Sequence, residues 1–517
     1  MVLKSNSEVV PFWGKGTEAK MGLNQLGMRT LVESIFATLL PGMSNVTGRI
    51  RYYSFYCWLM QQFKEFGSGS DGVYHQEDFI TFIRKAEYLL AVINYYTPNI
   101  QGIPGNTYVT NHIDDEASIV DLSKGIISEA GEYRGSYWAN KWGILGQYYL
   151  SSVIDLSLLG RLQADGDFFG ATPDADNHVS GEALADTFAI GVGEDGSLFI
   201  NCVQRSCVTK KEAKHLATAF NMHSYEQSQA ERDLTLKCLM QKDYPSALHN
   251  ENMHRQWTIR YVLEYIREFP NIEFRDQEFA GWMYERYHKE GPANPTLVGW
   301  YAYYMEESWQ YLSSIVFSSV LERLSDDKWE RVSDVSESIA SEICSYICED
   351  PNTPLSLRDA LMNLPETHEI NSPAQAYSRI LSLYLKDKDK EDDIRKTPGL
   401  GSLYADSPDD IFAYFRRIGE SLDVPFKVFI KEYLLEKIIY RHYHVSFVKQ
   451  RQTGISSQKF IIERGCLKRI MKYDYSHTSP RLNTLISFLE DLGAVSGRRI
   501  SPLGGAILAT CKHENRA

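Results

Sequence analysis

No stretch of this 517-residue chain is long and apolar enough to suggest a membrane span, since the most apolar helical run, Leu31 to Leu40, is interrupted by Glu33 and stopped by Pro41. The opening residues, Met-Val-Leu-Lys-Ser-Asn-Ser, lack the apolar core of a signal peptide, and a cytoplasmic protein is expected. Cysteine is sparse. The eight residues Cys57, Cys202, Cys207, Cys238, Cys344, Cys348, Cys466 and Cys511 form no Cys-x-x-Cys pair and no zinc-like array, which predicts free thiols in a reducing compartment and no structural metal. Phosphate-loop, hydrolase-elbow and zincin motifs are missing, and neither a dinucleotide site nor any cofactor is expected. With 43% apolar and 23% charged residues the composition is that of a folded globular chain, large enough for roughly three or four domains.

What is present is an asymmetry of charge. Residues 441 to 517 hold 13 Lys+Arg against 5 Asp+Glu, a net of +8 within a chain of −13, which leaves −21 on the preceding 440 residues. Such a distribution suggests a nucleic-acid-facing end on an acidic body that docks protein partners. Within the tail, Leu482, Leu485, Ile486, Leu489 and Leu492 recur at helical spacing. Ser479 is placed to cap this helix, Pro480 in its first turn, and Gly493 stops it. Ala494-Val495, a Ser496-Gly497 turn and Arg498-Arg499-Ile500 then read as a short hairpin, and Ser501-Pro502 opens a further helix. Helix, hairpin with a basic tip, helix: this order resembles the end of a winged-helix domain. The resemblance implies that Arg481 and Asn483 open the recognition helix and that Arg498 and Arg499 form the wing. Cys466 to Lys472 is expected as a basic helix, with Lys468, Arg469 and Lys472 steering nucleic acid, duplex DNA foremost. Glu490 and Asp491 argue the other way, and docking of a protein on the same surface stays open.

The remainder is expected to be mainly α: a multi-domain helical protein with one or two small winged-helix units and short β-hairpins. The divisions read as 1–125, a helical domain; 126–205, a winged-helix-like unit with a hairpin; 206–385, a helical bundle; 386–407, a charged linker; and 408–517, a helical part plus the basic winged helix. In the 126–205 unit, Arg161-Leu162 and Phe168-Phe169 suit a hairpin around Asp165-Gly166, and Ser180 opens a helix. Asp174-Ala-Asp176 makes that unit a poor DNA contact, and Gly193 to Val203 is expected as another hairpin. Arg49 to Trp58 interleaves cations with aromatics, a pattern able to stack on single strands, yet Ile50, Tyr53 and Cys57 have the spacing of an ordinary core stripe and the core reading is preferred. Aromatics on several faces of Gly299 to Tyr311 predict a central buried helix.

Candidate metal ligands are weak. His112-Ile-Asp-Asp-Glu116 reads as a solvated loop; His249 and His254 stand five apart, off a common helical face, and His442 and His444 read as polar surface. Taken together, Ser44 to Trp58 and Pro480 to Gly493 resemble a family of large bacterial proteins of uncharacterised role, loosely associated with phage-defence or mobile gene neighbourhoods. The resemblance implies a bacterial setting and no catalytic residues. The expectation is therefore a non-catalytic nucleic-acid-binding or scaffold subunit of a bacterial multi-protein system. The alternative is a metal-dependent nuclease or other hydrolase with a dispersed active site, for which a convergent cluster of carboxylate and His side chains would be the sign.

Overall fold

The structure is a computed structural model and describes residues 24–66, 75–97, 103–114, 118–162, 168–174, 178–241, 253–348, 355–367, 369–407, 409–454 and 456–510. The chain is mainly helical, with sheets of two or three strands. Backbone contacts divide it into two units. One gathers 1–32, 305–391 and 408–478; the other gathers 33–304, 392–407 and 479–517. The basic tail is therefore shared out, Lys468, Arg469 and Lys472 belonging to the first and Arg481, Asn483, Arg498 and Arg499 to the second. No described helix is long and apolar enough to cross a membrane.

In the larger unit, Arg51–Phe66 is buried along nearly its whole length. Its rings join those of Phe188, Phe199 and Phe220, so the Arg49 to Trp58 stretch is core. Arg51 is buried with it. Its Nε and Nη2 donate to both oxygens of Glu231 at 3.1–3.3 Å, its Nη1 donates to the carbonyls of Ala219 and Asn221, and the guanidinium lies 5.2 Å over Phe188. Arg84 is held entirely by neutral acceptors: the carbonyls of Gly125, Ile126, Trp138 and Asn140 and the Ser136 hydroxyl. Every guanidinium nitrogen of these two interior cations thus has an acceptor, which is the condition for burying them. Trp300, Tyr301 and Tyr303 are buried here as expected, Tyr301 stacking on Tyr287 at 3.9 Å.

The hairpin at Leu159–Arg161 and Phe169–Ala171 forms, and Ser180 caps Gly181–Val192 through its Oγ to the Ala183 N–H at 3.0 Å. The residues 163–167 and 175–177, which hold the expected turn and most of the acidic insertion, lie outside the described residues, as do 115–116 and 249–252. Gly193 to Val203 is not a hairpin. Glu194–Arg205 is a helix, because Gly196, Phe199, Ile200 and Val203 bury at i, i+3, i+4, i+7, and a short apolar run of this kind fits either period. The Gly191-x-Gly193-x-x-Gly196 spacing of dinucleotide sites thus joins two helices rather than a strand to a helix. A Cβ on Gly196 would come within 3.4 Å of Trp58, so its role is close packing.

In the smaller unit, Trp309 stacks on Tyr414 at 4.8 Å, and Tyr414 and Tyr377 share a hydroxyl hydrogen bond at 2.8 Å. Its sheet orders Glu330–Arg331, Cys466–Arg469 and Phe460–Glu463 as antiparallel neighbours. Cys466 to Lys472 is therefore strand and extended chain, not the helix expected. The cause is local: Arg464 and Gly465, both at positive φ, make a two-residue turn that folds Cys466–Arg469 back on Phe460–Glu463. The charged segment 386–407, of which 386–391 belong to this unit and 392–407 to the larger, also departs from expectation. Pro373–Asp387, Glu391–Arg395 and Leu400–Ala405 are helical, and Asp387, Ile394, Leu400 and Tyr404 are buried, so a few apolar anchors among the charges order what composition reads as a linker.

Candidate nucleic-acid interface

In the larger unit the tail helix begins later than its sequence suggests. Arg481 is the N-cap residue, at φ 65° in the left-handed region, and the helix runs Leu482–Asp491 with Pro480 before it. Leu482, Leu485, Phe488 and Leu489 are buried, and Thr484 donates to the Ser44 carbonyl at 2.9 Å. Arg481 is drawn inward. Its Nη1 donates to the Leu40 carbonyl at 3.0 Å, its guanidinium stands 5.4 Å over the Phe36 ring, and burial pushes its pKa down. It is not placed to meet a base edge, which corrects its expected role. Arg481→Ala is expected to cost about 1.5–3 kcal/mol of stability, as for a lost hydrogen bond to a charged group, and to leave any nucleic-acid affinity unchanged. Urea unfolding beside a binding titration checks both halves; a stable variant with reduced affinity would restore the base-contact role.

The same helix offers Asn483 and Glu490 to solvent and no cation. Asp491 at its end faces Arg49, Nη1 to Oδ1 at 2.7 Å, and burial nevertheless raises its carboxyl to about 6. Val495–Ser496 then pairs with Arg499–Ile500 across Gly497 and Arg498, whose φ values of 54° and 63° make the tight hairpin turn. Arg498 and Arg499 are exposed at this tip. Both are also tied to Asn271: the Arg498 carbonyl accepts its N–H at 3.1 Å, and Arg499 Nε donates to its Oδ1 at 2.7 Å. Ser501 then caps Pro502–Thr510 through the Gly504 N–H at 3.1 Å. Helix, hairpin and helix follow one another as expected; the cation at the helix start does not face outward.

The other three expected residues lie in the smaller unit. Lys468 is half-buried on the sheet opposite Ile461. Arg469 is paired with Asp326 at 2.7 Å and donates to the Leu321 carbonyl, and this pairing raises its pKa. Lys472 is exposed on a cleft of about 330 Å³ lined also by Glu322, Tyr473, Asp474 and Tyr475. Among the described residues no three His, Cys, Asp or Glu side chains converge where they could hold a metal ion.

No family model, curated protein or solved structure matches the chain. The chemistry therefore rests on the side chains alone.

One surface the spacing arguments missed lies on Tyr440–Thr453. This helix continues Phe426–Tyr433 through a π-helical turn at Leu434–Ile439. Every fourth residue from Phe426 to Ser446 is buried. In an ideal α-helix each such step drifts about 40° round the axis, and the wider π-turn takes up part of that drift. His442, far from being surface, is buried on this inner side. Its Nε2 accepts the Lys459 N–H at 3.0 Å, its Nδ1 lies 3.1 Å from the Gln25 carbonyl, and burial lowers its pKa to about 4. It is a neutral imidazole with Nδ1 as donor. The outer side carries Tyr440, Tyr443 and Phe447, exposed by 50, 41 and 49%. Their i, i+3, i+7 spacing is legible in the sequence, but it is the same signal a core stripe gives.

Proposed function

We propose that this chain is a non-catalytic nucleic-acid-binding subunit. The observation that supports this is the charge of the tail, +8 over 441–517 within a chain of net charge −13, with Arg451, Arg464 and Arg498 exposed and in no ion pair among the described residues. Free surface cations in an otherwise acidic protein suit a polyanion, since each phosphate contact releases a condensed counterion. The exposed hairpin tip at Gly497 and Arg498 suits a wing on the backbone; the Leu482–Asp491 helix, with only Asn483 and Glu490 outward, is a poor recognition helix, so contact to phosphate rather than to bases is favoured. A hydrolase with a dispersed site has no convergent ligand cluster to support it among the described residues.

The test is binding of the full chain to duplex and single-stranded oligonucleotides across a salt series. Affinity is expected to fall steeply with salt. Lys472→Ala with Arg498→Ala should flatten the log-affinity against log-salt slope by about 1–2, because two phosphates then keep their counterions. Absence of binding to either form at about 50 mM salt, where such contacts are strong, would overturn the proposal.

A further inference from the structure

The solvent side of an ordinary surface helix is polar. On Tyr440–Thr453 it is a row of rings. Tyr440, Tyr443 and Phe447 stand at the centre of the exposed side, with His444 beside them and Arg451 one turn beyond Phe447, all exposed. None of the three makes a ring contact or hydrogen bond among the described residues, whereas almost every other aromatic cluster of this unit is packed. The opposite and lateral sides, by contrast, are tied down. His442 bridges Gln25 and Lys459; Arg441 pairs with Asp409 at 2.6 Å and donates to the Leu26 carbonyl; Lys449 donates to the Asn24 carbonyl. The helix is held by these contacts, and its aromatic side is what the described residues leave uncovered.

We infer that this side is a stacking platform for single-stranded nucleic acid. The inference rests on the nucleic-acid proposal above and names the form of strand and the residues that meet its bases. Three observations select that occupant over a protein surface or a second copy of the chain. Tyr440 to Thr453 contains no carboxylate, and exposed Arg451 stands one turn beyond Phe447 as the cation at the end of the row; Arg441 is matched by Asp409, and Glu436 lies a turn before the row. The apolar side chains are mainly rings rather than a continuous aliphatic patch, and ring faces suit bases of any identity. At 1.5 Å rise per residue, Tyr440 and Tyr443 lie about 4.5 Å apart along the axis and Tyr443 and Phe447 about 6 Å, wider than the 3.4 Å of stacked neighbours, so each ring can take a separate base. A duplex hides its base faces within the stack and offers these rings nothing. The platform thus favours a single strand, with Arg451 placed for its phosphates.

The test is fluorescence anisotropy of the full chain with labelled oligothymidylate, oligouridylate and a blunt duplex of equal length. Tyr443→Ala and Phe447→Ala are compared with Phe447→Tyr, which keeps the ring, and with the Lys472 and Arg498 variants. The expected result is tighter binding of single strand than of duplex. Loss of each ring should weaken it roughly five- to a hundredfold, and Phe447→Tyr should restore it to near the parent. DNA and RNA arms decide which sugar is preferred. Because the changed residues are exposed, the melting temperatures of the variants should match the parent, and circular dichroism checks this. Single-strand affinity within twofold of the parent in both Ala variants, or preference for duplex, overturns the platform while leaving the nucleic-acid proposal standing. Failure of all three oligonucleotides to bind overturns both. Loss of self-association in the Ala variants, without any change in oligonucleotide binding, assigns the row to contacts between copies and overturns it as well.

Discussion

Replacing Arg51 by Met is expected to destabilise the protein by about 3–5 kcal/mol, because it strands a carboxylate in the interior. Glu231 is fully buried. Apart from Arg51 its side chain accepts the Ser54 hydroxyl at 2.5 Å, and with the arginine gone the carbonyls of Ala219 and Asn221 lose their donor too. The complementary change, Glu231→Leu in the presence of Arg51, should be comparably damaging, since it leaves a buried guanidinium with only two carbonyls. Combining Arg51→Met with Glu231→Leu should recover a substantial part of the loss, as neither charge is then left alone. Urea unfolding of the three variants reads this directly. A loss below about 1 kcal/mol for the single Arg51 change would mean that water reaches the site and that the pair behaves as a surface one.

The second large effect concerns pH. Glu87 accepts the Ile144 N–H at 2.8 Å, the Leu145 N–H at 2.7 Å and the Tyr56 hydroxyl at 2.9 Å. Burial raises its carboxyl to about 7, the donors pulling the other way. Its folded pKa lies above the unfolded value of about 4.3, so the folded state binds the extra proton between the two values. The stability this proton brings is complete below about pH 4.3 and is lost as pH rises through about 7. Measured against Glu87→Gln, the parent should therefore lose about 3 kcal/mol of relative stability between about pH 4.5 and about pH 8. His254 shows why the comparison must be with the variant. Burial lowers it to about 4, below its unfolded value, so it contributes the opposite slope, stability rising with pH from about 4 to about 6.5. A difference between parent and Glu87→Gln that stays flat across the range would show Glu87 ionised throughout, held so by its three donors.

The parts of this fold that could be read in advance are those whose causes are local. Ser180 three residues before the Ala183 N–H and the leucines of the tail helix act within a few residues and are present; the tail hairpin also forms, its turn on Gly497 and Arg498, one residue beyond the Ser496-Gly497 expected. Misreadings came where a short segment satisfied two local rules at once. Glu194–Arg205 fits strand and helix periods alike, and Cys466–Arg469 is basic in either conformation; the turn at Arg464 and Gly465 and the pairing with Phe460–Glu463 and Glu330–Arg331 settle the second.

Sequence alone determined that the chain is mainly helical, that Arg49 to Trp58 and Gly299 to Tyr311 are core, and that positive charge gathers at the tail, since periodicity and composition follow from residue order. Tertiary structure decided which cations are free. Arg51 meets Glu231 across 180 residues of chain, Arg481 turns inward to Leu40, and Arg469 pairs with Asp326, while Arg498 and Lys472 stay exposed. It likewise decided that the Phe426 to Ser446 stripe faces the core and the Tyr440, Tyr443, Phe447 row faces solvent. Two apolar stripes on one helix have equal claims to burial as sequence; the fold has one surface to cover, and distant Phe317, Phe460 and Gln25 select the stripe that carries His442.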